Sequence, residues 1–198
     1  MADVEERLLL KWVTGLDDSS DPRLTLREAL HSKLVTSDFD YVLLDCPPRV
    51  GTATINGLAA TDFVVVPVVL DVVSAANPLP HLLRELARLR SRSLFPRLSL
   101  LGLIANRVQG HGKAASEAVW KHVGNARLIE GGPNVYRFET QIQQAVAFSN
   151  AAKVLFDDHE TAAVVRKDRA VRETFENLAA ELQERITHES RQLAAVHS

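Results

Sequence analysis

The sequence predicts an α/β domain with a mainly parallel sheet flanked by helices, and three observations predict it. Apolar runs of strand length, Phe39–Asp45, Phe63–Val68 and Leu98–Ala105, carry hydrophobic residues at consecutive positions, as strands buried on both faces do. The stretches after them show helical spacing, and strand–helix alternation of this kind implies parallel strands joined by crossover helices. The composition, 46% hydrophobic and 24% charged over 198 residues, suits one globular domain, residues 1–198. A chain of this length buries about 70% of its unfolded surface and needs no disulfide or metal to hold a core.

The elements run in order along the chain. Asp3 to Val13 has Val4, Leu8, Leu9 and Trp12 at helical spacing, and the polar run Asp17–Pro22 after Gly15 reads as a linker. Thr25 and Glu28 have the spacing of a capping box, which opens a helix through about Val35. Phe39–Asp45 is a strand, stopped by Cys46-Pro47-Pro48. A short helix near Thr52–Ala60 leads to the strand Phe63–Val68. Pro80 to Arg92 is helical, with Leu82, Leu83, Leu86 and Leu89 on one face. Leu98 to Ala105 is a strand, Ala114 to Val123 a helix, and Val135 to Thr140 a weaker strand. Thr161 to about Leu193 is a long helix whose six basic and six acidic residues cancel, as on a solvated outer face.

Charge and cysteine content narrow the chemistry. With 23 basic and 25 acidic residues the net charge is −2, so global charge points to no nucleic-acid or membrane partner. The single cysteine, Cys46, excludes an intramolecular disulfide and a Cys-rich zinc site. No His stands near it in sequence, so a small buried thiol is the expected role. The seven histidines are scattered without metal-ligand spacing. No apolar run reaches the roughly 18–20 residues of a membrane span, and the acidic start has no signal-peptide pattern. A cytoplasmic protein is expected.

In open parallel sheets, ligands bind beyond the carboxyl ends of the strands, which directs attention to Asp45. An aspartate there can hold Mg²⁺, directly or through water; equally, it can cap the strand end. Arg84, Arg88, Arg90, Arg92 and Arg97, opposed only by Glu85, form a local basic cluster. Arg84 and Arg88 share a helix face at i, i+4. The cluster is either a patch for phosphates of DNA or a solvated helix end that favours the macrodipole.

As a set, these segments resemble the ParA/MinD family of partition and division-site ATPases, over about residues 24–185. Phe39–Pro48 resembles the family's Walker B and switch II segment. Asn56-Gly57-Leu58-Ala59-Ala60-Thr61-Asp62-Phe63-Val64-Val65-Val66-Pro67 looks like its next helix and strand. Leu101–Val108 is similar to the later strand whose terminal Asn, here Asn106, reaches adenine. Leu26–Leu30 and Ile142–Ala151 also fit in register. The resemblance implies a P-loop NTPase-like fold, ATP and Mg²⁺ as ligands through Asp45 and Asn106, and DNA segregation or positioning as the role. It implies non-specific DNA, a centromere-binding protein or a complete ParA-type ATPase as partners, and nucleoid association as the location. A membrane role of the MinD type is not expected, because Leu193–Ser198 lacks a basic amphipathic helix.

Two departures qualify the resemblance. No stretch matches the family's Gly-rich P-loop with two lysines. Gly110-His111-Gly112-Lys113-Ala114 is the only Gly-Lys pair; it has Ala114 where Ser or Thr would bind Mg²⁺, and it comes after the third strand. Only 38 residues precede Phe39, too few for the family's first strand, P-loop, helix and switch I. The chain is therefore expected to correspond to the C-terminal two-thirds of the fold and to be unable to hydrolyse ATP alone. Without the P-loop strand beside it, Tyr41–Asp45 would show an unpaired edge that invites self-association or a partner strand. The second departure is Gln143, which stands where the family usually has the proline of its adenine-framing loop.

Overall fold

A pair of adjacent strands, Phe63–Val69 (β1) and Ser99–Asn106 (β2), forms the sheet, close to the predicted ranges. The computed structural model describes residues 21, 24–47, 51–70, 78–91, 95, 98–108, 113–123, 134–145 and 168–196. The expected helix at Asp3–Val13 and the loop at Gly110–Gly112 lie outside the described residues. Packing divides the chain into two units, Met1–Val64 with Leu89–Ser99, and Val65–Arg88 with Leu100–Ser198.

The first unit holds helices Thr25–Leu30 (α1), Lys33–Asp38 (α2) and Thr52–Ala60 (α3), together with the segment that ends in Asp45. The capping box at Thr25 and Glu28 does not form. Leu24 is the N-cap, in helical conformation and without a side-chain cap bond, and its carbonyl accepts the Glu28 N–H at 2.9 Å. Thr25 is thus already inside the helix, one position too late to cap it. Nor does one helix run to Val35. Ser32 turns extended, with ψ 148°, and splits the segment into α1 and α2. Helix α1 packs on α3, where Asn56 Oδ1 accepts the Leu26 N–H at 3.5 Å and the Ala59 carbonyl accepts from Arg27 at 3.5 Å. Leu58 and Ala59 are buried beneath.

Phe39–Asp45 departs from its expected form. The segment 41–47 runs outside any strand or helix and pairs with no strand among the described residues. Its side chains are open, Tyr41 at 60% and Leu43 at 94% exposure. An apolar run is buried on both faces only when neighbours flank it on both edges and helices cover it; among the described residues neither condition is met. The sequence pattern records a strand's propensity, and pairing decides whether a strand forms.

The second unit is assembled on β2. Leu101, Leu103, Ile104 and Ala105 are buried, as the uninterrupted apolar run predicted. On one edge lies β1, with Val66 and Val68 buried. Along the other, residues 136–144 run parallel to β2 through bridges at Leu103–Arg137 and Val108–Gln143. The Leu103 N–H donates to the Tyr136 carbonyl, and the Phe138 N–H returns the bond to Leu103, both at 2.9 Å. The Ile142 N–H reaches the Ala105 carbonyl at 2.8 Å, and the Gln144 N–H reaches Val108 at 2.9 Å. The weak strand expected at Val135–Thr140 is therefore an interrupted one, broken around Glu139 and resumed at Ile142.

Helices complete this unit. Pro78–Ser91 (α4) buries Leu79, Leu83 and Leu86, the i, i+4, i+7 stripe of an amphipathic helix. Lys113–Val123 (α5) buries Val123. Arg169–Val196 (α6) is unbroken over its 28 residues and starts at Asp168, whose Oδ1 accepts the Val171 N–H at 3.2 Å, an aspartate N-cap. Val171 and Leu178 are buried. The charges on α6 do not all face water: Glu181, Arg185 and Glu189 are half-buried.

The close approach of residues 136–138 to β2 depends on Gly102. Its φ is +155°, and a Cβ there would lie 2.6 Å from the Tyr136 carbonyl oxygen and 3.0 Å from the Phe138 ring. Because the nearest atom belongs to the backbone, rotating a side chain cannot relieve the clash. Backbone strain and overpacking each cost about 1–3 kcal/mol, so Gly102→Ala should destabilise the chain by about 2–4 kcal/mol. Urea unfolding monitored by circular dichroism measures this; an unchanged midpoint would mean that the 136–144 segment does not pack on β2 as described.

Candidate functional site

Asp45 ends the extended segment of the first unit, with its carboxylate in solvent. The next two residues, Cys46 and Pro47, are anchored to α3. Thr54, itself buried, donates from Oγ1 to the Pro47 carbonyl at 3.4 Å. Gly57 lets the helix come close: a Cβ there would lie 2.7 Å from Cys46 Sγ. Cys46 is exposed, not the buried thiol expected; partial desolvation first, and then the negative charge of Asp45, push its thiol above the ordinary pKa. The thiol stays protonated near neutral pH, unlike an activated nucleophile.

A Mg²⁺ ion suits one carboxylate plus several waters, because it dehydrates reluctantly and binds through one or two carboxylates and substrate phosphates. An exposed Asp45 on an anchored turn fits that outer-shell role. Among the described residues no group of three or more His, Cys, Asp or Glu side chains could hold a metal by itself.

Asn106 closes β2 in the second unit. Its Oδ1 accepts the N–H of Arg107 at 2.9 Å, and Arg107 adopts a left-handed conformation with φ +54°. A non-glycine residue in that region is uncommon, and such conformations gather at functional turns. With Oδ1 engaged by the backbone, the half-buried side chain keeps its NH₂ group as a donor. Val108 comes two residues later, bridged to Gln143, and Gln143 and Gln144 are exposed. The end of β2 and the segment 140–144 thus line one small region rich in amide groups.

In the basic cluster, Arg84, Arg88 and Arg90 are exposed on α4, while Arg92 and Arg97 lie outside the described residues. Arg88 donates to Glu85 at 2.6 Å, so the one acidic neighbour offsets one guanidinium. No described helix is long and apolar enough to cross a membrane.

Sequence reasoning missed a set of polar residues behind segment 136–144. Tyr136 donates its hydroxyl to Glu181 at 2.9 Å, and the Arg185 guanidinium lies over the Tyr136 ring at 4.2 Å. Arg185 also donates to Glu189 at 2.6 Å and to the Leu101 carbonyl of β2 at 3.4 Å. Burial, and then the hydrogen bond and charge of Glu181, push the Tyr136 hydroxyl above its ordinary pKa, keeping it a donor. The signal was present in the spacing: Glu181, Arg185 and Glu189 recur every four residues beside Leu178 and Leu182, and so continue the inward stripe of α6.

Comparison with known proteins bears on both units. A family model described as an AAA domain matches residues 6–99. The chain is 38% identical over 79 residues to the chromosome partitioning protein ParA of Caulobacter vibrioides, covering 40% of this chain and 29% of that protein. Among solved structures, apo McdA from Cyanothece superposes with a TM-score of 0.58 at 20% identity, covering 91% of this chain and 64% of that one. Cobyrinic acid a,c-diamide synthase from Mycobacterium smegmatis, with bound ADP and magnesium, gives 0.56 at 23% identity over 78% of this chain and 59% of that one. The chain spans well under half the length of the curated relatives it matches. The two structures share its fold, and the sequence matches place the chain as similar to ParA-type P-loop proteins.

Proposed function

We propose that the chain is a ParA-like partition protein acting in plasmid or chromosome segregation or positioning. In this reading Asn106 contacts the base of an adenine nucleotide, and Asp45 holds Mg²⁺ through water. The observation that carries it is the match to a chromosome partitioning protein, together with an exposed aspartate on an anchored turn and an amide side chain at the end of β2. Bound Mg²⁺ would neutralise phosphate charge. Phosphoryl transfer is mostly positioning and charge neutralisation, and the 198 residues contain no Gly-rich loop with Lys and Ser or Thr to cradle the phosphates. These residues by themselves therefore bind nucleotide weakly and do not turn it over.

A second reading is a non-catalytic binding protein that pairs with a complete ParA-type ATPase, with a second copy of itself, or with DNA. The exposed segment at Tyr41–Asp45, which pairs with no strand among the described residues, favours it, since an extended apolar segment with open backbone groups is a template for another chain. A centromere-binding protein would be a partner under either reading.

Two experiments test these proposals. A steady-state phosphate-release assay on the chain should show no ATP turnover; turnover that disappears in Asp45→Ala would overturn the inactive reading. For DNA, the patch at Arg84, Arg88, Arg90 and Arg92 should bind any duplex, with affinity falling steeply as salt rises. Arg88→Glu with Arg92→Glu should weaken that binding on every sequence alike. No binding by the parent at low salt, or unchanged retardation of the variant, would exclude the patch as a DNA contact.

A further inference from the structure

One carboxylate in the second unit commits both its oxygens to a neighbouring segment. Glu181, half-buried on α6, accepts the Tyr136 hydroxyl at 2.9 Å and the Glu139 N–H at 2.7 Å on Oε1. Its Oε2 accepts the Thr140 N–H at 3.0 Å. These partners stand 41 to 45 residues away in the chain, so the carboxylate ties two distant segments together. Burial pushes the Glu181 carboxyl up, but the bonds from Thr140, Glu139 and Tyr136 outweigh it, and the group sits below its ordinary pKa. It is ionised at neutral pH and serves only as an acceptor.

The chain path determines what this latch controls. The two amides it holds interrupt the pairing of segment 136–144 with β2. On one side the Phe138 N–H is bonded to Leu103; on the other the Ile142 N–H is bonded to Ala105, the residue before Asn106. Only Gln141 separates the latched Thr140 from Ile142, which leaves the backbone no slack. Tyr136 is fixed in turn by Arg185 over its ring. A helix remote in sequence thereby dictates how residues 140–144 pass the end of β2.

We propose that Glu181 is a positioning residue for base recognition, setting the path of Thr140–Gln144 beside Asn106 and so the preference for adenine over guanine. The proposal rests on the reading of Asn106 as the base contact. Glu181 does not touch the nucleotide; it acts through the Glu139 and Thr140 amides. Gln at this position keeps the size but has one accepting oxygen, and its NH₂ would face a backbone N–H. The titration sign agrees: a carboxyl with a depressed pKa holds its partners above the ordinary carboxylate range and releases them as pH falls through its folded value. Tyr136, Glu139 and Arg185 are the charged or titratable groups that face this network.

The test uses the whole chain, with Glu181→Gln and Tyr136→Phe as variants. Ligand-observed NMR at millimolar concentration compares ADP with GDP in the presence of Mg²⁺, and thermal unfolding is recorded alongside. The parent should prefer ADP. Glu181→Gln should reduce the ADP-to-GDP affinity ratio by about three- to tenfold, the range expected for one lost hydrogen bond, and Tyr136→Phe should reduce it by less. If the parent prefers ADP and both variants lose thermal stability with the ratio unchanged, the carboxylate only braces the fold and the positioning role is overturned. If the parent binds neither nucleotide, the reading of Asn106 fails and takes this inference with it. Should Glu181→Gln not fold, Tyr136→Phe, which keeps the ring under Arg185, decides the matter alone.

Discussion

The second unit depends on the backbone ladder along β2. Its central residues are buried on both faces, and its outer edge is met by segment 136–144 at a distance only glycine permits at position 102. Each bond in that ladder is worth about 0.5–1.5 kcal/mol net, but a buried amide left without a partner costs about 1–3 kcal/mol. The ladder is therefore held in register by what its failure would cost. The Glu181 latch, the Arg185 guanidinium on the Leu101 carbonyl and the Tyr136 ring are all placed with reference to this strand.

This constraint bears on the candidate residue at the strand end. A buried parallel strand can offer a ligand only the residue where it stops, and β2 stops at Asn106 with a left-handed turn. The amide is held by its own backbone neighbour, and a side chain fixed in this way would lower the ordering cost of any contact it makes. Asp45 is treated differently. The segment leading to it has no ladder among the described residues, and its position is set from the other side, by Thr54 and by the close passage of Cys46 over Gly57. One candidate residue is fixed by a sheet and the other by a helix.

Much of this was legible in the sequence, for identifiable reasons. Runs such as Ser99–Asn106 read correctly because a strand buried on both faces needs apolar residues throughout. Helix α4 read correctly because its leucines mark one face. The same rule failed at Tyr41–Asp45, whose composition is that of a central strand, because burial depends on neighbours that a local pattern does not encode. The split between α1 and α2 was hidden because Ser32 is ordinary in a helix and breaks this one only through its extended ψ. Asn106 could be singled out by resemblance, but its bond to the Arg107 amide could not. Glu181 and Arg185 were read as solvated because charge was counted along α6 rather than sorted by face.

Order in the second unit is referred to β2, while the segment before Asp45 pairs with no strand among the described residues. Amide hydrogen exchange followed by NMR at neutral pH tests this most directly. The amides of Leu103, Phe138 and Ile142, each in a backbone bond, should exchange orders of magnitude more slowly than those of Val42, Leu43 and Leu44, which should exchange near free-peptide rates. Protection at Val42–Leu44 equal to that at Leu103 would contradict this picture, because it would place that segment inside a hydrogen-bonded sheet.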